Sequence, residues 1–377
     1  KICGIMDRQQ GGYMESGFYG QTLKVSGSLR KHCGLPVYHD TDETVDLWLQ
    51  SNQIDKVVVL LIDAMGTSVV QKHLNDDAFL RKYMVKSITS VFPPTTTAST
   101  TSIRTGKTPA ENGWLGWNQY FHEVDDNIIL FLNRGQYSQM AYPYVVSKAL
   151  PVVFTEDELG DTGDSIWPGW SVHNPCQTFE DMWKKIISIS LHENRKYVYA
   201  YWDQFDTWMH RNGPSDVSTG EKLREINAVC EKYALQLPEG TGVIIIADHS
   251  QIDVEKHNLE DHPEIVECFS HLPGLEPRTV AFHIRQDRLE VFPSLFEKAY
   301  GNDFDLYTRQ QILDLKMFGE RPCERMHEFI GDYLAIAKGN ISLVYGTGDK
   351  TVKGDHAGGR KEEAIVPLIL YPQTGNI

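Results

Sequence analysis

Several protein classes are excluded by what this chain lacks. Its six cysteines, Cys3, Cys33, Cys176, Cys230, Cys268 and Cys323, include no C-x-x-C pair. Neither a zinc ribbon nor a dithiol redox motif is therefore encoded, and reduced thiols are expected. No apolar run reaches the roughly 18 residues that a membrane-spanning helix needs. No charged-then-apolar leader with a cleavage site opens the chain, and the expectation is a cytoplasmic protein. Lys and Arg number 36 against 51 Asp and Glu, a net charge of −15. Without a basic cluster to release counterions, a nucleic-acid polymer or an anionic membrane is not an expected partner. A small phosphorylated partner remains compatible, because bound metal ions reverse the local sign of charge. Internal repeats and low-complexity tracts are absent as well.

What is present is an ordinary globular composition, 41% apolar and 23% charged over 377 residues, long enough for a large core with a smaller inserted unit. Three runs, "KVVVLLID" (56–63), "KYVYAYWD" (196–203) and "GVIIIADH" (242–249), are nearly unbroken in apolar and β-branched or aromatic residues. That is the pattern of strands covered on both faces. Helical periodicity lies between them at 177–191 and at 220–237, where Leu223, Ile226, Val229 and Tyr233 form one stripe. Alternating strands and helices predict an α/β fold: a mostly parallel central sheet with helices on both faces. A last strand, "EEAIVPLILY" (362–371), would return to that sheet. Residues 257–345 change character, with "EPRTVAFHIR" read as a strand and "RLEVFPSLFEKAYG" as a helix. They predict an inserted α+β subdomain, leaving 1–256 and 346–377 as the core. Residues 119–175, broken by Pro143, Pro151 and Pro168, are read as loops overhanging the sheet.

The chemistry gathers where the apolar runs end. Asp63 closes "VVVLLID", and Asp248 with His249 closes "GVIIIADH". In open α/β sheets ligands bind beyond the carboxyl ends of the strands. Two carboxylates placed there repel each other unless cations lie between them, although an Asp ending a strand also serves as a helix cap. In "WDQFDTWMHRNGP" (202–214), Asp206 and His210 are four apart, so one helical turn puts both on one face, able to share a metal. Asp203 is a competing ligand. "VFPPTTTASTTSIRTG" (91–106) reads as a loop entering a helix N-terminus, where free N–H groups favour an anion. A Thr hydroxyl there is a candidate nucleophile if a divalent cation lowers its pKa, and a helix cap otherwise. His356 stands in the glycine-rich turn "VKGDHAGG" (352–359).

Taken in order, "LLIDAMG", "FPPTTTASTTSIRTG", "DTWMHRNGP", "ADHS" and "GDHAGG" resemble the motifs of the alkaline phosphatase superfamily, in its type I phosphodiesterase/nucleotide pyrophosphatase branch. The resemblance spans residues 45–371. It implies a hydrolase of small phosphorylated substrates, nucleotides among them, with two divalent metal ions, usually zinc, manganese being tolerated by the same donors. One ion would be held by Asp206, His210 and His356, and the other by Asp63, Asp248, His249 and the nucleophile's oxygen. Counting nine residues back from Thr105 places the nucleophile on Thr96, with Thr95 as runner-up. The phosphodiesterase reading stands beside phosphomonoesterase, phosphonate hydrolase and phosphomutase readings, and beside that of a non-catalytic relative binding a phosphorylated ligand. A sulfatase is disfavoured because the hydroxyl run contains no Cys.

Three departures bear on substrate preference. Thr207, Trp208 and Met209 fill positions that are often small. Ser250 replaces the glycine of the common "DHG". The Asn that steadies a phosphoryl oxygen falls by ungapped counting on Trp117, leaving Asn118 and Asn112 as candidates. Trp114, Trp117, Tyr120 and Phe121 offer either a stacking surface for a planar group or packing beneath the overhanging loops.

Overall fold

The three apolar runs lie side by side at the centre of a seven-stranded sheet. Its order is Met84–Thr89, Ile365–Tyr371, Thr241–Ile246, Lys56–Ile62, Tyr197–Trp202, Gly163–Pro168, Pro175–Cys176. The computed structural model describes residues 20–346 and 351–373. Lys56–Ile62 pairs in parallel with both Tyr197–Trp202 and Thr241–Ile246. All residues of the two flanking strands, and all but Lys56 of the central one, are buried. This is why the runs are continuous rather than alternating: helices cover both faces, so every position meets an apolar neighbour. The closing strand, Ile365–Tyr371, joins as expected, antiparallel to Thr241–Ile246 and to Met84–Thr89.

Helix Phe179–Ser190 begins at Thr178, whose side chain accepts from the N–H of Asp181, and it buries Met182, Trp183 and Ile186. Each such side chain contributes roughly 1.5–3 kcal/mol when fully buried. Helix Val217–Ala234, capped by Asp216, packs Leu223, Ile226, Cys230 and Tyr233 into the same core, while Val229 lies at its margin. The five cysteines among the described residues are unpaired; Cys3 lies outside those residues. No helix among the described residues is long and apolar enough to cross a membrane.

A second seven-stranded sheet runs Phe304–Thr308, Tyr333–Ala337, Thr279–Ile284, Phe269–Leu275, Asn118–Phe121, Asp126–Ile129, Arg134–Gly135, antiparallel throughout. The strand at 279–284 and the helix Phe292–Tyr300 appear where the sequence patterns put them. Residues 119–175 are a correction. Three strands of the second sheet and two of the first arise there, because short strands of two to six residues carry too little periodicity to register. Phe121, Ile128 and Leu130 bury themselves with Leu275, Ala281 and Leu334 in a core of their own. Asn118–Phe121 meets Phe269–Leu275 at one pair of residues, Asn118 opposite Leu275.

Candidate active site

The strand ends and their loops bring the acids and imidazoles together. Asp63 follows the central strand directly, its N–H bonded to the carbonyl of Trp202 at 2.9 Å. Asp248 sits two residues beyond the next strand, and Asp206 and His210 lie on the helix Gln204–Asn212 after the third. That helix begins because the strand ends at Trp202, and its four-residue spacing leaves His210 Nε2 3.2 Å from Asp206 Oδ2. Atoms of Asp206, His210 and His356 converge within 4.8 Å, as do those of Asp63, Asp206 and His249. Asp206 thus stands between the two groups. Asp248 flanks the second, its Oδ2 3.7 Å from His249 Nε2, which is itself 3.3 Å from Asp63 Oδ1.

The three histidines are held alike. Nδ1 of His210 faces the carbonyl of Gly354 at 2.8 Å, that of His249 the carbonyl of Ser250 at 3.2 Å, and that of His356 the carbonyl of Pro94 at 3.3 Å. Donating Nδ1–H to a carbonyl sets the tautomer of neutral His249 and His356 and leaves the Nε2 of each with a lone pair, the arrangement found at metal sites, whereas His210 Nε2 faces Asp206 Oδ2. The rings of His249 and His356 stack at 3.7 Å. Burial pushes His249 down to about 4 and His356 down to about 3, so both stay neutral. His210 differs: burial lowers it, but Asp206 raises it further, to about 9. Asp206, although burial acts upward on it, is held below the usual carboxylate range by His210.

Asp63 and Asp248 show the opposite strain. Burial, then the charges of Asp248 and Asp206, raise Asp63 well above the ordinary value, and burial takes Asp248 up to about 6. Asp63 Oδ1 and Asp248 Oδ2 are buried without a hydrogen-bond partner. An unsatisfied buried oxygen costs on the order of 1–3 kcal/mol, more when charged. Two carboxylates with free oxygens, beside the neutral imidazole of His249, fit divalent cations. They do not fit an apolar ligand.

Thr96 opens the helix Thr96–Thr105, with Thr95 as its cap residue. The Thr96 hydroxyl lies 3.1 Å from His249 Nε2. Thr95 turns the other way and donates to Glu276 Oε1. Asn112 is engaged elsewhere, with Nδ2 near Ser102 and the carbonyl of Lys107, and Oδ1 accepting from the N–H of Trp114. Asn118 Nδ2 reaches the carbonyl of Leu275 at 3.3 Å. Trp114 is buried against Phe131, whereas Trp117 is 36% exposed. Asp203 Oδ2 accepts from Trp170 Nε1 at 2.6 Å and joins neither group of converging ligands.

Sequence reasoning missed several partners. Tyr201 donates to Asp63 Oδ2; Gln251 Nε2 binds Asp206 Oδ1 at 2.6 Å. Lys256 pairs with Asp355 at 2.6 Å, and Asp355 accepts the His356 N–H. Trp170, 56% exposed, and Glu276 were not signalled at all. Tyr201 and Asp355 adjoin or lie within the quoted motifs, but Glu276 comes from the second sheet, and no spacing rule connects it to Thr96. The backbone is strained at three junctions with these groups: Ala64 after Asp63 (φ 59°), Ala357 after His356 (φ 75°) and Leu275 before Glu276 (φ 69°). Left-handed conformations of this kind cost of order 1–3 kcal/mol and persist where surrounding structure enforces them.

Ser250 explains the neighbouring glycine. A Cβ on Gly66 would lie 1.9 Å from Ser250 Oγ, although the Gly66 backbone (φ −67°) suits any residue. Gly66→Ala is therefore expected to destabilise by about 1–3 kcal/mol through overpacking, and Ser250→Gly in the same chain to restore most of the loss. Thermal melts of both would check this; a double variant melting no higher than Gly66→Ala would remove the clash as the cause.

The type I phosphodiesterase / nucleotide pyrophosphatase family profile matches residues 57–359. Murine ectonucleotide pyrophosphatase / phosphodiesterase 5 has a similar structure, with TM-score 0.66 at 15% identity, covering 84% of this chain and 87% of that one. The human ectonucleotide pyrophosphatase / phosphodiesterase 5 structure matches with the same figures, as does an inactive threonine-to-alanine form of the murine protein in complex with AMP. At that identity the likeness is one of fold. No curated protein matches the chain at a significant level. With the family profile extending over most of its length, the chain belongs to the type I phosphodiesterase/nucleotide pyrophosphatase family and is a phosphoric ester hydrolase.

Proposed function

We propose that the chain cleaves small phosphodiesters, nucleotides among them, through a phospho-threonine intermediate on Thr96. The site would hold two divalent cations, zinc for preference and manganese as the alternative, since the donors are all nitrogen and oxygen. The observation that carries this reading is the common anchoring of His210, His249 and His356, each with Nδ1 on a carbonyl, with Nε2 of His210 beside Asp206 and Nε2 of His249 beside Asp63 and Asp248. Asp206, His210 and His356 would hold one ion; Asp63, Asp248, His249 and Thr96 Oγ1 the other. When bound, the cations would supply Lewis-acid charge to the phosphoryl and leaving oxygens and lower the pKa of the Thr96 hydroxyl.

In this mechanism the Thr96 oxygen attacks phosphorus in line, and the P–O bond to the leaving group breaks. Water then attacks the phosphorus of the intermediate and restores the hydroxyl. The helix starting at Thr96 contributes free backbone N–H groups of its first turn, Thr97 included, to the equatorial oxygens. The exposed rings of Trp117 and Trp170 suit a planar leaving group or base. Support for a nucleotide comes from the AMP complex of the murine relative.

Rates on bis-p-nitrophenyl phosphate, p-nitrophenyl phosphate, phosphonoacetate and p-nitrophenyl sulfate test the reading. The diester is expected to exceed the others in kcat/KM by at least tenfold, roughly 1.4 kcal/mol in the transition state. A monoester preferred by that margin would establish the phosphomonoesterase alternative instead.

A further inference from the structure

Glu276 is the buried acid that the motif set leaves without a task. It follows the last residue of the strand Phe269–Leu275 and is 6% exposed. Its Oε1 accepts two hydrogen bonds, from Thr95 Oγ1 and from the N–H of Trp117 at 2.7 Å. Thr95 precedes the proposed nucleophile, and Trp117 occupies the position where the family resemblance expects an Asn. Gly116 makes the approach possible: a Cβ there would come 3.0 Å from Leu275 Cα. Oε2 has no hydrogen-bond partner among the described residues. Leu275, immediately before Glu276, has a left-handed backbone, φ 69°.

We propose that Glu276 is a substrate-positioning residue, whose Oε2–H donates to a non-bridging oxygen of the phosphoryl group, the task that the family resemblance gives to an Asn at the position of Trp117. Both bonds, from Thr95 and Trp117, are received on Oε1, which leaves Oε2 as the oxygen able to donate when the acid is protonated. Burial supports the protonated form, raising the acid to about 8. The second sheet thereby supplies a polar contact that the nucleophile's own loop does not.

The inference rests on the hydrolase reading, and its test separates the two. The full chain, loaded with zinc or manganese, is assayed on a nucleoside 5′-(p-nitrophenyl) phosphodiester and on both of its phosphorothioate diastereomers. Glu276→Ala, and Glu276→Leu as the volume-keeping variant, are expected to lower kcat/KM on the oxygen diester by roughly ten- to a hundredfold. Glu276→Gln, which keeps a donor and an acceptor, is expected within about threefold of wild type. On one diastereomer, where sulfur replaces the contacted oxygen and accepts poorly, the wild-type advantage over the Ala and Leu variants is expected to collapse. A merely structural acid would lose equally on all three esters, and that outcome overturns the proposal, as does an unchanged rate. A wild-type protein inert toward every ester overturns instead the phosphodiesterase reading beneath it.

Discussion

Thr96→Ala is expected to lower kcat on bis-p-nitrophenyl phosphate by roughly three orders of magnitude or more, the scale seen when a covalent nucleophile is removed. Thr96 presents its oxygen 3.1 Å from His249 Nε2, beside the carboxylates of Asp63 and Asp248. The neighbouring Thr95 directs its oxygen to Glu276 instead. Thr95→Ala should therefore cost far less, roughly tenfold, as befits the loss of a hydrogen bond to an orienting group. Bound metal in Thr96→Ala should stay near the wild-type level, because six acid and imidazole ligands remain. Stability should change by about 1 kcal/mol, the net worth of one hydrogen bond. Single-turnover kinetics with elemental analysis check both halves. Wild-type turnover in Thr96→Ala, paired with collapse in Thr95→Ala, would transfer the role to Thr95.

Chelation should abolish hydrolysis and lower the melting temperature together. A ligand that binds only the folded chain stabilises it by about 4 kcal/mol when free ion is a thousandfold above Kd. The gain arises here because Asp63 Oδ1 and Asp248 Oδ2 have no protein partner, and a cation removes their mutual repulsion. Zinc or manganese should restore activity at a stoichiometry near two per chain. Since Asp206 belongs to both groups of converging atoms, Asp206→Asn should depress both metals and His210→Ala one. Full activity in thoroughly demetallated protein would end the two-ion account, and one tight ion per chain would replace it with a single-site one.

The carboxyl ends of the strands were readable because burial leaves a simple mark. Asp63 and Asp248 interrupt apolar runs, and a charge at such a place needs a reason. The i, i+4 spacing of Asp206 and His210 reads equally well, since the helix imposes it whatever its surroundings. Residues 118–135 were not legible. Their strands of two to four residues acquire meaning only when Phe121 and Ile128 meet Leu275 and Leu334 from far along the chain. The choice between Asn118 and Asn112 was likewise undecidable by counting. Asn112 proves to be held within its own turn by Lys107 and Trp114, and Asn118 lies at the junction with Leu275.

By itself, the chain's order of residues determined the kind of sheet, the ends of its central strands and the acids and imidazoles stationed there. These follow from local rules: unbroken apolar runs need two covered faces, and a buried charge needs a partner. Only the tertiary structure decided which imidazole nitrogen is free, that Asp206 stands between the two groups, and that Glu276 arrives beside Thr95 and Trp117. Those outcomes depend on hydrogen bonds such as His356 to Pro94, 262 residues apart, and Thr95 to Glu276, 181 apart. Contacts at such separations are settled by the packing of the two sheets, which leaves no periodic trace in either segment.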